Sequence, residues 1–184
     1  DAEPGVAQAT VSINAGEGIG ASSFTSDSFE IANTGGSNIS SVVIDLSTAF
    51  FPDVVFDPVG QAGDVTAACL VPHASSDDVG FDDSGDECVD PFSDGSAADG
   101  YTTMTIDFGG FAPGESFVFA VDIVPTTIKG YGAAGNAGAS SGLELAGTTA
   151  SITFDDGTSA AQTFGEGSQG GSTGSVPSPL TTAV

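Results

Sequence analysis

The chain has 184 residues, enough for one sizeable hydrophobic core, and its 25 Asp and Glu residues face a single basic side chain, Lys129. A formal net charge of −24 excludes a nucleic-acid-binding protein, because no cationic surface exists to neutralise phosphates. It also excludes docking on anionic lipid through basic residues, and no apolar run is long enough to predict membrane insertion. Hydrophobic residues make up 39% of the chain, including 13 Phe, so we expect a folded protein rather than an acidic disordered tail.

Strand patterns recur along the chain, and no stretch shows the apolar periodicity of a three-turn helix. The predicted strands are rich in β-branched and aromatic residues and cover 9–13, 28–32, 39–46, 102–108, 116–123, 142–147 and 150–154. The turn signal at 155–158 predicts a hairpin into a further strand over 159–164. About seven to nine short strands predict an all-β fold, an antiparallel β-sandwich of the immunoglobulin-like or jelly-roll type, with a closed barrel as second choice.

The domain organisation follows from where these patterns stop. We expect a single β-sandwich domain over residues 1–164 and a Gly/Ser/Pro-rich C-terminal tail over 165–184. Inside the domain, no strand pattern is visible from Val71 to Gly100, which predicts a long acidic loop at 71–100. Irregular connections of this length are usually functional or disordered.

Several features predict a secreted protein, located outside the cell or at the cell surface. Cys69 and Cys88 are 19 residues apart, and one extracellular disulfide at the base of the acidic loop is the first interpretation; two buried free thiols are the alternative. The N-terminal Asp-Ala-Glu-Pro resembles an end left by signal-peptide removal. Asn38 begins an Asn-Ile-Ser sequon, which is meaningful only in an organism that glycosylates.

The acidic residues are unevenly distributed. Nine of the 25 lie within 75–100, where proportional placement would put about three to four. Carboxylates on a loop with Gly and Ser are the oxygen ligands that Ca²⁺ prefers, although the spacing is not that of an EF-hand. The Ca²⁺ ligands we predict are Asp82, Asp83, Asp86, Glu87, Asp90 and Asp94. A solvated acidic loop is an equal alternative, and acid-rich surfaces of halophilic and marine secreted proteins explain the overall charge without any ligand.

The sequence argues against an enzyme. A catalytic triad would have to use His73, the only histidine, which lies in the irregular loop, and neither a nucleophile elbow nor a phosphate-binding loop is present. Zinc bound by Cys69, His73 and Cys88 would compete with the disulfide and lacks a second cysteine pair. We therefore predict no catalytic residues and no cofactor besides Ca²⁺.

Four stretches resemble known surface proteins. They are Ile44–Asp64, Phe29–Gly35, Phe111–Phe119 and the two halves of Pro125–Leu145, Pro-Thr-Thr-Ile-Lys-Gly-Tyr-Gly-Ala and Ser-Gly-Leu-Glu-Leu. Ile44–Asp64 and Pro125–Leu145 resemble poorly characterised secreted β-sandwich modules in surface proteins of halophilic archaea and marine bacteria. Phe29–Gly35 and Phe111–Phe119 are similar to strand-edge phrases that are common in immunoglobulin-like surface domains, and the whole resemblance spans roughly residues 9–158. The resemblance implies location and architecture and carries no catalytic residues.

At the level of architecture the chain is also similar to camelysin-type fibre subunits and archaeal bundling pili. That similarity implies polymerisation by strand addition, in which one subunit lends a terminal strand to the sheet of the next. The better candidate donor strand is Val6–Ile13, which alternates Val6, Gln8, Thr10 and Ser12 with Ala7, Ala9, Val11 and Ile13. Val176–Val184 is the second candidate, weakened by its prolines.

Two hypotheses on function follow. The first is a non-enzymatic extracellular structural subunit that assembles with copies of itself into a surface fibre or matrix by β-strand exchange. The alternative is a Ca²⁺-dependent secreted binding or adhesion module for carbohydrate or another cell-surface ligand. Carbohydrate sites usually present aromatic platforms, and a chain with no Trp and two Tyr argues against the second hypothesis.

Overall fold

The fold is that of an antiparallel β-sandwich, so the predicted fold class is confirmed. The computed structural model describes residues 7–13, 28–130, 144–165 and 179–181. Within them, twelve strands form two sheets, and the helical segments are two single-turn 3-10 helices, Leu46–Thr48 and Thr126–Ile128.

The first sheet has five strands in the order β12-β1-β2-β8-β5. Their bounds are β1 Gln8–Ile13, β2 Phe29–Asn33, β5 Val71–Pro72, β8 Ser116–Ala120 and β12 Pro179–Thr181. Val11 on β1 lies opposite Ile31 on β2, which lies opposite Phe117 on β8. All three side chains are buried, since residues directly opposite one another face the same side of a sheet.

The second sheet has seven strands, ordered β11-β10-β3-β7-β4-β9, with β6 paired to β7 as well. Their bounds are β3 Ile39–Asp45, β4 Val54–Phe56, β6 Phe92–Ser96, β7 Gly100–Phe111, β9 Ile123–Pro125, β10 Thr149–Phe154 and β11 Ser159–Thr163. The predicted β10–β11 hairpin is confirmed. The twelve-residue β7 organises this sheet, because it pairs with β3, β4 and β6.

Phenylalanine supplies much of the core between the sheets. On the five-stranded sheet, Phe119 stacks on Phe29 and Phe117, with ring centroids 5.0 and 5.4 Å apart. Phe108 on β7 meets Phe117 edge-to-face from the other sheet, at 5.3 Å and 75°. Edge-to-face and offset stacked pairs add to the hydrophobic gain from burying the rings, so these contacts help to hold the two layers together.

The structure differs from three of the sequence predictions, those for residues 71–100, 142–147 and 116–123. The predicted loop 71–100 contains β5 and β6, and Phe81 within it bridges to Phe108. Only Phe92 of β6 is buried, so the strand shows no alternation and is held by its pairing with β7. Of the predicted strand 142–147, the described residues 144–147 form a turn.

The predicted strand 116–123 is two strands. β8 ends at Ala120 in the five-stranded sheet, and β9 begins at Ile123 in the seven-stranded sheet. The chain therefore crosses from one layer to the other at Val121 and Asp122. At the C-terminus, three residues of the predicted tail form β12 and pair with Gln8, Ala9 and Thr10 of β1.

Candidate functional sites

The disulfide predicted at the base of the acidic loop is present. Cys69 and Cys88 are bonded, with their Cα atoms 4.5 Å apart. Beside it, the Leu70 N–H donates to the Glu87 carbonyl oxygen at 3.2 Å, so the bond and one backbone contact close the same loop. Stable disulfides are typical of extracellular proteins. The structure describes no helix long and apolar enough to cross a membrane.

A cavity of about 270 Å³ separates the acidic loop from β7. Its lining includes the carboxylates of Asp82, Glu87 and Asp90 from the loop and of Asp107 from β7. The hydroxyl and backbone N–H of Ser84 hold the pKa of Asp82 below its usual range. Burial raises the pKa of Glu87, and the neighbouring acids, led by Asp83 and Asp90, raise it further.

The structure brings three of the six predicted Ca²⁺ ligands to this cavity and places the others outside its lining. Asp86 accepts the Cys88 N–H at 3.0 Å through its side chain, and Asp83 is exposed. Asp94 lies on β6, where its carboxylate accepts the Thr103 hydroxyl at 2.9 Å. Over the described ranges, no group of three or more His, Cys, Asp or Glu side chains is placed so that it could hold a metal ion. The Ca²⁺ site in this loop stays a prediction.

The candidate donor strand is the second strand of the five-stranded sheet, between the edge strand β12 and β2. β1 pairs over residues 9–13 with β2 on one side, and over residues 8–10 with β12 on the other. Ala7, Ala9 and Val11 face the core and are at most 1% exposed. Gln8 and Thr10 are half-buried on the opposite face. Val6 and the side chain of Ile13 lie outside the described residues, as does most of the second candidate segment.

Three aspartates that the sequence did not single out are buried. Asp57, Asp64 and Asp122 are 0, 2 and 1% exposed, although Asp is normally a surface residue. Asp57 and Asp122 adjoin β4 and β9, and the Asp57 N–H donates to the Asp122 carbonyl oxygen at 3.0 Å. Each interrupts an apolar run, Val-Val-Phe-Asp or Val-Asp-Ile-Val, and that interruption was the available signal.

The three carboxylates differ in their hydrogen bonds. Asp57 accepts the backbone N–H groups of Gln61, Ala62 and Gly63 at 2.8–2.9 Å, and so fixes the turn that follows it. Asp64 accepts the Thr66 N–H at 2.7 Å.

Asp122 is held less completely than its two neighbours. Its Oδ2 atom is buried without a hydrogen-bond partner. Burial, followed by the charges of Asp57 and Asp64, raises the pKa of Asp122 to about 8.

The two side chains that can carry positive charge in the described residues are engaged elsewhere. The Lys129 ammonium donates to the Ala98 carbonyl oxygen and lies 3.9 Å from Asp99 Oδ1. The Nδ1 atom of His73 lies 2.7 Å from the Ser75 hydroxyl oxygen and accepts the Ser75 N–H at 3.2 Å. The His73–Ser75 pair is thus a local turn contact on the protein surface.

Comparison of the chain with protein-family models, with curated proteins and with solved structures finds no match.

Proposed function

We propose that the chain is a non-enzymatic structural subunit of an extracellular assembly, and that copies polymerise by exchanging β1. The observation that carries the proposal is the position of β1. Its inner face completes the core, while its outer edge pairs, in the part of the chain that the structure describes, with the three residues of β12. A strand with these properties can be supplied equally well by the same chain or by a neighbour, because the backbone ladder and the apolar face are identical in both cases.

The connection from β1 to β2 is long enough for exchange. Residues 14–28 separate the strands, and fifteen residues can span up to about 50 Å when extended. This distance would let β1 of one copy reach β2 of an adjacent copy. Gly16, Gly18 and Gly20 lie in this connection.

Charge sets the conditions for assembly. Each subunit carries a net charge of −24, and like-charged subunits repel one another. At an ionic strength of 1 M, the screening length falls to about 3 Å. We therefore expect polymers in concentrated NaCl or with divalent cations and dispersed subunits at low ionic strength.

Deletion of residues 1–13 tests the proposal. The full chain is expected to form fibres in concentrated NaCl that are visible by negative-stain electron microscopy, and the deleted chain is expected to form none. A synthetic peptide of residues 6–13 should raise the melting temperature of the deleted chain, which shows that the acceptor sheet is folded and open. A peptide with Val11 replaced by Asp is the matched control and should have no effect. Fibres that persist unchanged after the deletion would exclude β1 as the donor and leave Val176–Val184.

A second candidate function is a Ca²⁺-dependent binding or adhesion module. The observation that favours it is the cavity beside β7, whose lining carries Asp82, Glu87, Asp90 and Asp107. The test is binding to surface glycans with Ca²⁺ and with chelator. The Glu87→Gln/Asp90→Asn double variant should lose Ca²⁺-dependent binding, and Asp94→Asn, outside the cavity lining, should retain it. Equal binding with and without Ca²⁺ would refute this function.

A further inference from the structure

The buried aspartates lie beneath a loop on the outer face of the seven-stranded sheet. Along β4 and β9, Phe56 and Ile123 face the main core, whereas Val55 and Val124 join Ala62 in a separate small apolar cluster. Because side chains alternate across a strand, Asp57 and Asp122 face the same side as this second cluster.

The loop after Asp57 packs tightly over the small cluster. A Cβ atom built on Gly63 would lie 2.2 Å from a Val124 methyl carbon, so only glycine fits there. The Gly130 N–H also donates to the Gly63 carbonyl oxygen at 2.8 Å, which closes the loop from the other side. The aspartates are therefore enclosed between the loop and the sheet.

Register brings two of the aspartates together. Phe56 is paired with Ile123, and the next positions along the two chains are Asp57 and Asp122. Residues directly opposite in antiparallel strands have Cβ atoms about 4.5–5.5 Å apart, and like charges at such positions repel. Asp64 directly follows Gly63, the residue that packs on Val124, and is itself buried.

The chain offers this cluster no positive side chain. It has one Lys and no Arg, and Lys129 contacts Ala98 and Asp99 instead. A buried carboxylate without a counter-ion or full hydrogen bonding is costly, and the Asp122 Oδ2 atom has no partner. Either a proton on Asp122 or a cation from outside the chain can relieve this cost.

We propose that Asp57, Asp64 and Asp122 form a buried cation site for a hard divalent ion, Ca²⁺ by preference, with the unpartnered Asp122 oxygen as one ligand. Carboxylates and backbone carbonyls are the ligands that Ca²⁺ takes, in irregular sets of six to eight oxygens. Mg²⁺ requires near-octahedral geometry and retains several waters, which an enclosed site accommodates poorly. In the described residues, no three such side chains stand in a metal-holding arrangement. Ion binding would therefore require the three carboxylates to move closer together.

This site is separate from the acidic loop and from β1, so the inference goes beyond both proposed functions. Binding here would fasten the Asp57–Leu70 loop to the sheet at the point where the chain crosses between layers. Cys69, which forms the disulfide with Cys88, lies at the end of this segment. Ca²⁺ would therefore act as a structural ion that stabilises the fold rather than as a bridge to a ligand.

Calorimetric titration of the full chain with CaCl₂ tests the site, with Asp122→Asn and Asp64→Asn as two independent variants. Both replacements keep side-chain volume and remove one charged ligand. We expect each to weaken Ca²⁺ binding by about tenfold or more, since affinity follows the number of charged ligands. The Asp155→Asn variant, in the exposed turn between β10 and β11, is the matched control and should leave binding unchanged. The Asp90→Asn variant reports separately on the acidic loop. The Ca²⁺-induced rise in melting temperature should follow the same order.

Three results would overturn the inference. Binding lost in Asp90→Asn and kept in Asp122→Asn would place the ion in the acidic loop. No detectable binding to the full chain, together with a higher melting temperature of Asp122→Asn, would show that the cluster holds a proton instead. An equal gain in melting temperature from NaCl at matched ionic strength would reduce the effect to screening.

Discussion

Replacing Asp122 by Asn should change how stability depends on pH in the metal-free protein. In the folded chain, the pKa of Asp122 is raised to about 8, whereas an unfolded Asp titrates near 4. The folded state therefore holds a proton that the unfolded state has lost between these pH values. Stability from this group is fully present below about pH 4, falls as pH rises, and is fully lost above about pH 8.

The magnitude follows from the same difference. Each pH unit within the window costs about 1.4 kcal/mol, or roughly 5 kcal/mol across the whole window. That loss is comparable to the total stability of many domains, which is about 5–15 kcal/mol. The Asn variant carries no titrating group at this position and lacks this loss, so it should become the more stable protein towards pH 8.

Urea unfolding in EDTA, at intervals from pH 5 to pH 8.5, measures the effect. With slopes of about 1–3 kcal/mol per molar urea, the difference between the two midpoints should change by about 0.5–1.4 M per pH unit. Taking the difference removes the general effect of the other acids, which both proteins share. Parallel midpoint curves over the whole range would refute the assignment of a neutral, buried Asp122.

Three further predictions concern the fold. Phe117→Ala should lower the free energy of unfolding by about 3–5 kcal/mol in a urea melt, because the ring is fully buried between the sheets; a loss below about 1 kcal/mol would contradict its place in the core. Replacing both Cys69 and Cys88 by Ser should lower the free energy of unfolding by about 3 kcal/mol, because the unfolded chain gains conformational entropy when the loop is no longer closed. An unchanged melting temperature would contradict this prediction. Gly63→Ala should lower the free energy of unfolding by about 1–3 kcal/mol, because the added methyl group overlaps Val124. Gly110→Ala, with open space around it, should be about as stable as the parent protein, and equal losses in the two variants would refute the close contact between Gly63 and Val124.

The sandwich could be predicted because its main strands bury one face. In β2 the buried Phe29 and Ile31 flank the half-buried Glu30, and β7 and β10 alternate in the same way. β6 could not be predicted, because Ser-Asp-Gly-Ser carries no apolar pattern and the strand exists through its partner β7. Tertiary pairing overrides local propensity there.

The buried acids escaped prediction for a related reason. The acidic loop at 71–100 stands out by density of charge, but density marks a solvated surface as readily as a site. Asp57 and Asp122 are 65 positions apart, and only the pairing of β4 with β9 brings them together. The polar interruption at Asp122, inside the apolar stretch 116–123, could be seen in the sequence; the crossing between layers that buries this residue could not.

The most direct test of strand exchange is a disulfide between two copies across the β1–β2 pairing. Ser12 lies opposite Glu30 in register, and both are half-buried on the outer face. One preparation carries Ser12→Cys and the other Glu30→Cys; they are mixed, assembled in concentrated NaCl and oxidised. Strand exchange predicts a covalent dimer containing both variants, and a mixture of Ser12→Cys with the exposed Asp155→Cys should give none. A single chain that carries both replacements is the control for the geometry of the pair. If its two introduced cysteines join each other while the mixture of Ser12→Cys and Glu30→Cys gives no mixed dimer, β1 stays in its own sheet and strand exchange is contradicted.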